Sequence, residues 1–190
     1  YCTKHYKICK PIFSILNWWI RYSEDTIMRL AQFDKLRTNT EQICIIGDAR
    51  SIDVVKELEM NNPLLASLTQ TKRIKGIFTS PPYVGLIDYH NQHAYAYDLF
   101  HFTRNDDLEI GKMSLGKGAK ARALYTESIS ATLINCRRFL IDDYNIFLVA
   151  NDKFNLYPTI AKNAGMRIVN RYKRPVLART ERDKGAYSET

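Results

Sequence analysis

The chain has 190 residues, the size of one ordinary domain or a large part of one. With 45% hydrophobic and 25% charged residues it has enough apolar material for a sizeable core, which excludes a compositionally disordered chain. Lys and Arg total 28 against 20 Asp and Glu, and the resulting +8 suits a polyanionic partner such as nucleic acid. Cys2, Cys9, Cys44 and Cys136 are scattered in no zinc-like spacing and read as reduced intracellular thiols. The longest apolar-looking stretch, residues 12–20, is broken by Ser14 and Asn17 and falls far short of the roughly 20 residues of a membrane span. No secretory signal precedes it. Position 1 is tyrosine and the first methionine is Met28, so the sequence is expected to be a piece of something longer.

Residues 1–40 carry Ile12, Leu16, Trp19 and Tyr22 at helical spacing, then Ile27, Leu30 and Phe33 in a second stretch. They predict an N-terminal helical segment of one or two helices packed on a core, with Trp18 and Trp19 serving that packing. Over residues 41–190 the pattern alternates between strand and helix. Ile43-Cys44-Ile45-Ile46, ending at Gly47-Asp48, predicts a short strand buried on both faces. Ser51 is placed to cap a helix with Val54, Val55 and Leu58 on one side. Pro63 and a polar segment, residues 69–73, lead to a second apolar run over 74–78. That run stops at Thr79-Ser80-Pro81-Pro82-Tyr83, because two consecutive prolines cannot donate to a strand ladder.

Residues 84–121 read as irregular. Ile129, Leu133, Cys136 and Leu140 then mark an amphipathic helix. Residues 145–150 predict a third buried strand closing at Asn151-Asp152. Residues 157–164 predict a short helix that Gly165 can terminate. Residues 166–169 and 175–178 are candidate paired strands. The alternation implies an α/β layered fold with a largely parallel sheet, in which ligands sit beyond the carboxyl ends of the strands. Gly47-Asp48-Ala49-Arg50 and residues 79–83 both fall at such ends.

Ser-Pro-Pro is common in loops, and a proline-rich turn leaving a strand is the plain reading of residues 79–83. Its place at the end of an apolar strand, with an aromatic after it, resembles the Ser/Asn/Asp-Pro-Pro-Tyr motif of S-adenosylmethionine-dependent methyltransferases that modify exocyclic amines of DNA bases. The resemblance extends through Val84-Gly85-Leu86-Ile87-Asp88-Tyr89-His90-Asn91-Gln92-His93, Glu109-Ile110-Gly111, Val149-Ala150-Asn151-Asp152-Lys153 and Arg179-Thr180-Glu181-Arg182. It implies a Rossmann-like methyltransferase sheet, here incomplete, with N-terminal helices. It also implies a site-specific enzyme of restriction–modification type in the cytoplasm of a bacterial or archaeal cell. The serine form of the motif points to cytosine N4 over adenine N6. An RNA base-amine methyltransferase and a non-catalytic DNA-binding remnant are the alternatives.

In this family's chemistry Ser80 and the Pro81 carbonyl accept the two hydrogens of the target amine, Pro82 stiffens the turn, and Tyr83 stacks on a base flipped out of double-stranded DNA. Asp48 and Ala49 resemble the motif beside the cofactor's adenosine, although a loop carboxylate after a strand is more often a cap. Tyr89, His90 and His93 are candidate DNA or base-pocket contacts, with ordinary packing as the alternative. As metal ligands the histidines lack a third partner, so no metal is expected. Residues 111–118 nearly spell a phosphate-binding loop, but Gly118 stands where Ser or Thr would hold magnesium. Lys112, Lys117, Lys120 and Arg122 instead suit a basic loop over DNA phosphates, as do Arg171, Lys173, Arg174, Arg179 and Arg182; a solvated charged face is the simple alternative.

The family's glycine-rich cofactor loop, resembling Asp-Pro-Phe-x-Gly-x-Gly, is not in the sequence. The expectation is that these 190 residues bind S-adenosylmethionine weakly or not at all by themselves, with the missing part upstream or on a partner chain.

Overall fold

The Ser14 hydroxyl accepts the Asn17 amide (3.3 Å) and opens a single uninterrupted helix, α1 (Ile15–Asp34), in the computed structural model, which describes residues 14–173, 175–177 and 187–189. The expectations placed on Ile12, Arg174, Ala178 and residues 179–182 lie outside the described residues. The chain divides into two compact units, Tyr1–Gln42 and Ile43–Thr190. In the first, the two predicted helical stretches are one, since no Gly or Pro interrupts them. Among the described residues of this unit none of α1 is buried, and Trp19 is 70% exposed. Among the described residues no helix is long and apolar enough to cross a membrane.

In the second unit residues 43–46 do not form the expected strand, and Ile46 is 91% exposed. An apolar run becomes a strand only when a neighbour takes up its N–H and C=O groups, and among the described residues no strand lies beside it. Next comes α2 (Val54–Asn61), whose cap is Asp53 rather than Ser51. The Asp53 carboxylate accepts the amides of Val55 (3.1 Å) and Lys56 (3.3 Å). Ser51 instead lies in the preceding turn, its own amide donating to the Asp48 carbonyl. Asp53→Ala is therefore expected to cost about 1 kcal/mol of stability in chemical denaturation, and Ser51→Ala under about 0.5 kcal/mol. The polar stretch after Pro63 is itself helical, forming α3 (Pro63–Lys72), with Asn62 capping Leu65 and Pro63 in the first turn.

The apolar run over 74–78 forms β1 (Ile74–Thr79). Between it and its partner strand run two short helices, α4 (Tyr89–Gln92) and α5 (Ala94–Phe100), two 3-10 turns at Asp106–Leu108 and Met113–Leu115, and the long α6 (Ala119–Arg137). The region read as irregular is thus built of short helical pieces. β2 (Leu140–Leu148) then pairs parallel to β1, with Ile77 opposite Ile146, Phe78 opposite Phe147 and Thr79 opposite Leu148. Leu140 belongs to this strand, not to the preceding helix. α7 (Tyr157–Asn163) closes at Gly165, whose φ of +66° and the bonds Gly165 N–H to Lys162 C=O and Met166 N–H to Ala161 C=O make a Schellman ending.

Residues 166–169 are not a strand. The pairing is between β3 (Pro175–Leu177) and β4 (Tyr187–Glu189), antiparallel. The Met166 amide is already spent on the α7 ending, and Val169 is exposed. Helices α6 and α7 supply the core: Tyr125, Ile129, Leu133, Ile160 and Ala164 are buried together, and Val84, Ile110 and Ile146 pack against them. Among the described residues the two sides of this sheet differ in burial. Ile146 meets this core, while Phe78 (81% exposed) and Phe147 stand open, so neither strand is buried on both sides. The fold is mixed α/β with a parallel crossover, and the described sheet that carries it has two strands.

Candidate functional site

β1 delivers the Ser-Pro-Pro-Tyr turn at its carboxyl end. The last rung of the parallel ladder is the Val149 amide donating to the Thr79 carbonyl (2.9 Å). After it the chain leaves the sheet with Ser80 exposed and Pro81, Pro82 and Tyr83 half-buried. The Pro82 carbonyl accepts the Tyr125 hydroxyl (2.8 Å), and that hydroxyl lies 2.8 Å from the hydroxyl of Tyr157. Among the described residues no hydrogen bond reaches the Ser80 hydroxyl or the Pro81 carbonyl. The turn is therefore fixed at Thr79 and Pro82 and open between them.

The residues after the motif lock it to a glycine-bearing loop. Gly85 is buried at φ +60°, and its amide donates to the Gly111 carbonyl (2.8 Å). A Cβ at Gly85 would run into the Gly116 carbonyl and come within 2.8 Å of the Lys117 side chain. Close approach of two backbones, together with a left-handed conformation, is what requires glycine there. Lys117 thus lies beside the turn. Lys117 and Lys120 are exposed and in no ion pair among the described residues. Lys112 lies 3.8 Å from Asp107, and Arg122 stacks over Phe154 at 5.0 Å.

The candidate contacts at 89–93 are partly absorbed by their own loop. Asp88 caps α4 by accepting the amide of Asn91, and the Tyr89 amide donates to Glu109 (2.7 Å). His90 Nδ1 is hydrogen-bonded to the Tyr97 hydroxyl and lies 3.9 Å from Asp106, which Arg104 grips with two nitrogens (2.9 and 2.6 Å). His93 is exposed at the joint of α4 and α5, edge-on to Tyr95. Among the described residues no group of three or more His, Cys, Asp or Glu is arranged to hold a metal.

Asp48 sits in a turn, not at a strand end, because residues 43–46 form no strand. Arg50 pairs with it: its backbone amide (3.0 Å) and Nε (2.8 Å) reach Oδ1, and Nε (3.1 Å) and Nη2 (2.7 Å) reach Oδ2. The hydrogen-bonded guanidinium holds the Asp48 carboxyl below its usual range. Three hydrogens are donated, the Nε–H being shared between the two oxygens, so acceptor capacity remains on the carboxylate. Ala49 beside it is exposed.

Three side chains at this site were not singled out from the sequence. Asn135 is buried on α6 and donates to the carbonyls of Ala49 (3.2 Å) and Ile52 (2.8 Å), tying the Asp48 turn to that helix. Tyr125 and Tyr157 are the others. Burial raises both phenol pKa values, with their mutual hydrogen bond lowering that of Tyr125 in part and raising that of Tyr157, so both stay protonated. Tyr125 was legible in principle, since it lies one turn before Ile129 on the apolar face of α6. Asn135 and Tyr157 carry no such signal.

The chain thus leaves the parallel strand β1 through the Ser-Pro-Pro-Tyr turn with its Pro82 carbonyl anchored. The chain is 49% identical, over all 190 residues, to the Type II methyltransferase M.MjaII of Methanocaldococcus jannaschii. It spans 36% of that protein, about a third of its length. No family model matches the chain. No solved structure matches it either.

Proposed function

We propose that this chain is the part of a site-specific DNA methyltransferase that presents the acceptor amine, most specifically the N4 amine of cytosine. One observation carries the reading. At the carboxyl end of a parallel strand, the Ser80 hydroxyl and the Pro81 carbonyl have no hydrogen bond among the described residues while the neighbouring Pro82 carbonyl is anchored. Identity of 49% to a Type II methyltransferase supports it from a separate direction.

An exocyclic amine delocalises its lone pair into the ring and is a poor nucleophile. Two acceptors held at a fixed spacing draw its two N–H hydrogens out of the ring plane and return the lone pair to nitrogen. Ser80 and Pro81 are adjacent acceptors of this kind, and the backbone restraint that the prolines impose limits the reorganisation needed when the base arrives. Tyr83 then packs against the flipped base, and exposed Lys117 and Lys120 track its phosphates. S-adenosylmethionine supplies an electrophilic methyl group; the described residues act on the acceptor.

The test is transfer of a labelled methyl group by the complete gene product to duplex DNA and to RNA, followed by nucleoside analysis. Label in DNA as N4-methylcytosine is the expected result. N6-methyladenine would shift the target base and leave the class standing. Label in RNA alone, or none at all, overturns the proposal in favour of an RNA enzyme or a non-catalytic DNA-binding remnant.

A further inference from the structure

The prolines of the motif stiffen it unevenly. Each ring fixes its own φ, and each proline also confines the residue before it to extended conformations. Ser80 precedes Pro81 and Pro81 precedes Pro82, so their ψ angles are restrained by sequence alone. Pro82 precedes Tyr83, and no proline limits its ψ. That torsion sets the plane of the peptide leading into Tyr83 and the direction of the Pro82 carbonyl. Along with φ of Ser80 and the torsions of Tyr83, it is a joint that the prolines leave loose.

The structure closes that joint from two distant helices. The Pro82 carbonyl can only accept, so Tyr125 must donate its single hydroxyl hydrogen to it (2.8 Å). The oxygen of Tyr125 is then left as acceptor toward Tyr157 (2.8 Å). Hydrogen bonds running in one direction polarise one another, so Tyr157 strengthens the hold of Tyr125. Both phenols are held in place. Tyr125 is 3% exposed and packed in the core. Tyr157 begins α7, and Asp152, just past the end of β2, accepts the amides of Leu156 (2.6 Å) and Tyr157 (3.3 Å). The segment after β2 thus anchors the turn after β1.

We propose that Tyr125 and Tyr157 are positioning residues, a hydroxyl relay from Tyr157 to Tyr125 to the Pro82 carbonyl that fixes the Pro82–Tyr83 peptide and hence the aim of the amine-binding turn. The proposal rests on the amine-methylating reading of that turn. Neither phenol touches the base.

The relay predicts a pattern of effects in the complete gene product. Tyr125→Phe lowers kcat about tenfold and leaves KM for DNA within about twofold, because one anchoring bond is lost and the binding surface is not. Tyr157→Phe costs about threefold, since Tyr125 keeps its bond but loses its support. The double variant is no worse than Tyr125→Phe alone, since Tyr157 acts only through Tyr125. Wild-type kcat in Tyr125→Phe, or single effects that multiply in the double variant, overturns the relay.

Hydrogen exchange of the buried Gly85 amide gives a readout independent of turnover. It is expected to be about tenfold faster in Tyr125→Phe, and unchanged exchange overturns the relay. If the wild-type protein methylates no nucleic acid, the functional reading falls and this exchange measurement alone decides whether the relay holds the turn.

Discussion

Ser80→Ala in the complete gene product is expected to lower methyl transfer by about 10²–10³-fold, the scale on which one preorganised polar group acts at a reacting centre. Its hydroxyl is exposed and makes no hydrogen bond among the described residues, so its removal leaves no buried group unsatisfied. Thermal unfolding should therefore be unchanged, and KM for DNA should stay within about twofold, because an interaction made with the reacting amine weighs on kcat. Single-turnover methyl transfer on an oligonucleotide duplex, run beside a melting curve, separates the two effects. A variant that transfers methyl groups at the wild-type rate would remove Ser80 from the chemistry and leave the turn a structural feature.

Gly85→Ala should be nearly as damaging, for a different reason. Gly85 never meets the base in this account, but it is buried at φ +60° and a Cβ there would collide with the backbone of Gly116. Backbone cannot swing aside as a lysine tip can. Either the Gly111 loop or the turn itself must shift, and a displacement of about 1 Å at a reacting centre can cost about 10²-fold. The expected result is a loss of that order in kcat with DNA binding largely kept. Gly118→Ala, in the same loop, is the control. Its φ is −68° and an added Cβ would meet nothing within 4 Å, so turnover should stay within about twofold. Equal effects from the two substitutions would mean that the loop tolerates neither alanine for reasons unrelated to the turn.

How much of this was legible beforehand depends on how local the physics is. The end of β1 was readable because proline lacks the ladder donor, and the turn after it follows from the same covalent fact. The Gly165 ending of α7 was readable on the same grounds. The strand expected at 43–46 was not secured by its apolar run, because a strand is a relation between two segments and its partner is not among the described residues. Ser51 and Asp53 are both good caps, and only the helix start at Val54 decides between them. Along α1 the apolar residues do recur at helical spacing, yet periodicity carries no information about what covers that side.

By itself, the amino-acid order determined the stiff turn, its place at a strand end and the positive charge beside it, since proline stereochemistry and charge travel with the residues that bear them. Only the tertiary structure decided that the Tyr125 hydroxyl meets both the Pro82 carbonyl and Tyr157, that Arg50 pairs with Asp48, and that Phe78 and Phe147 stand exposed on the sheet. Those are meetings between groups distant along the chain, and a hydrogen bond or a buried face exists only once both sides have been brought together.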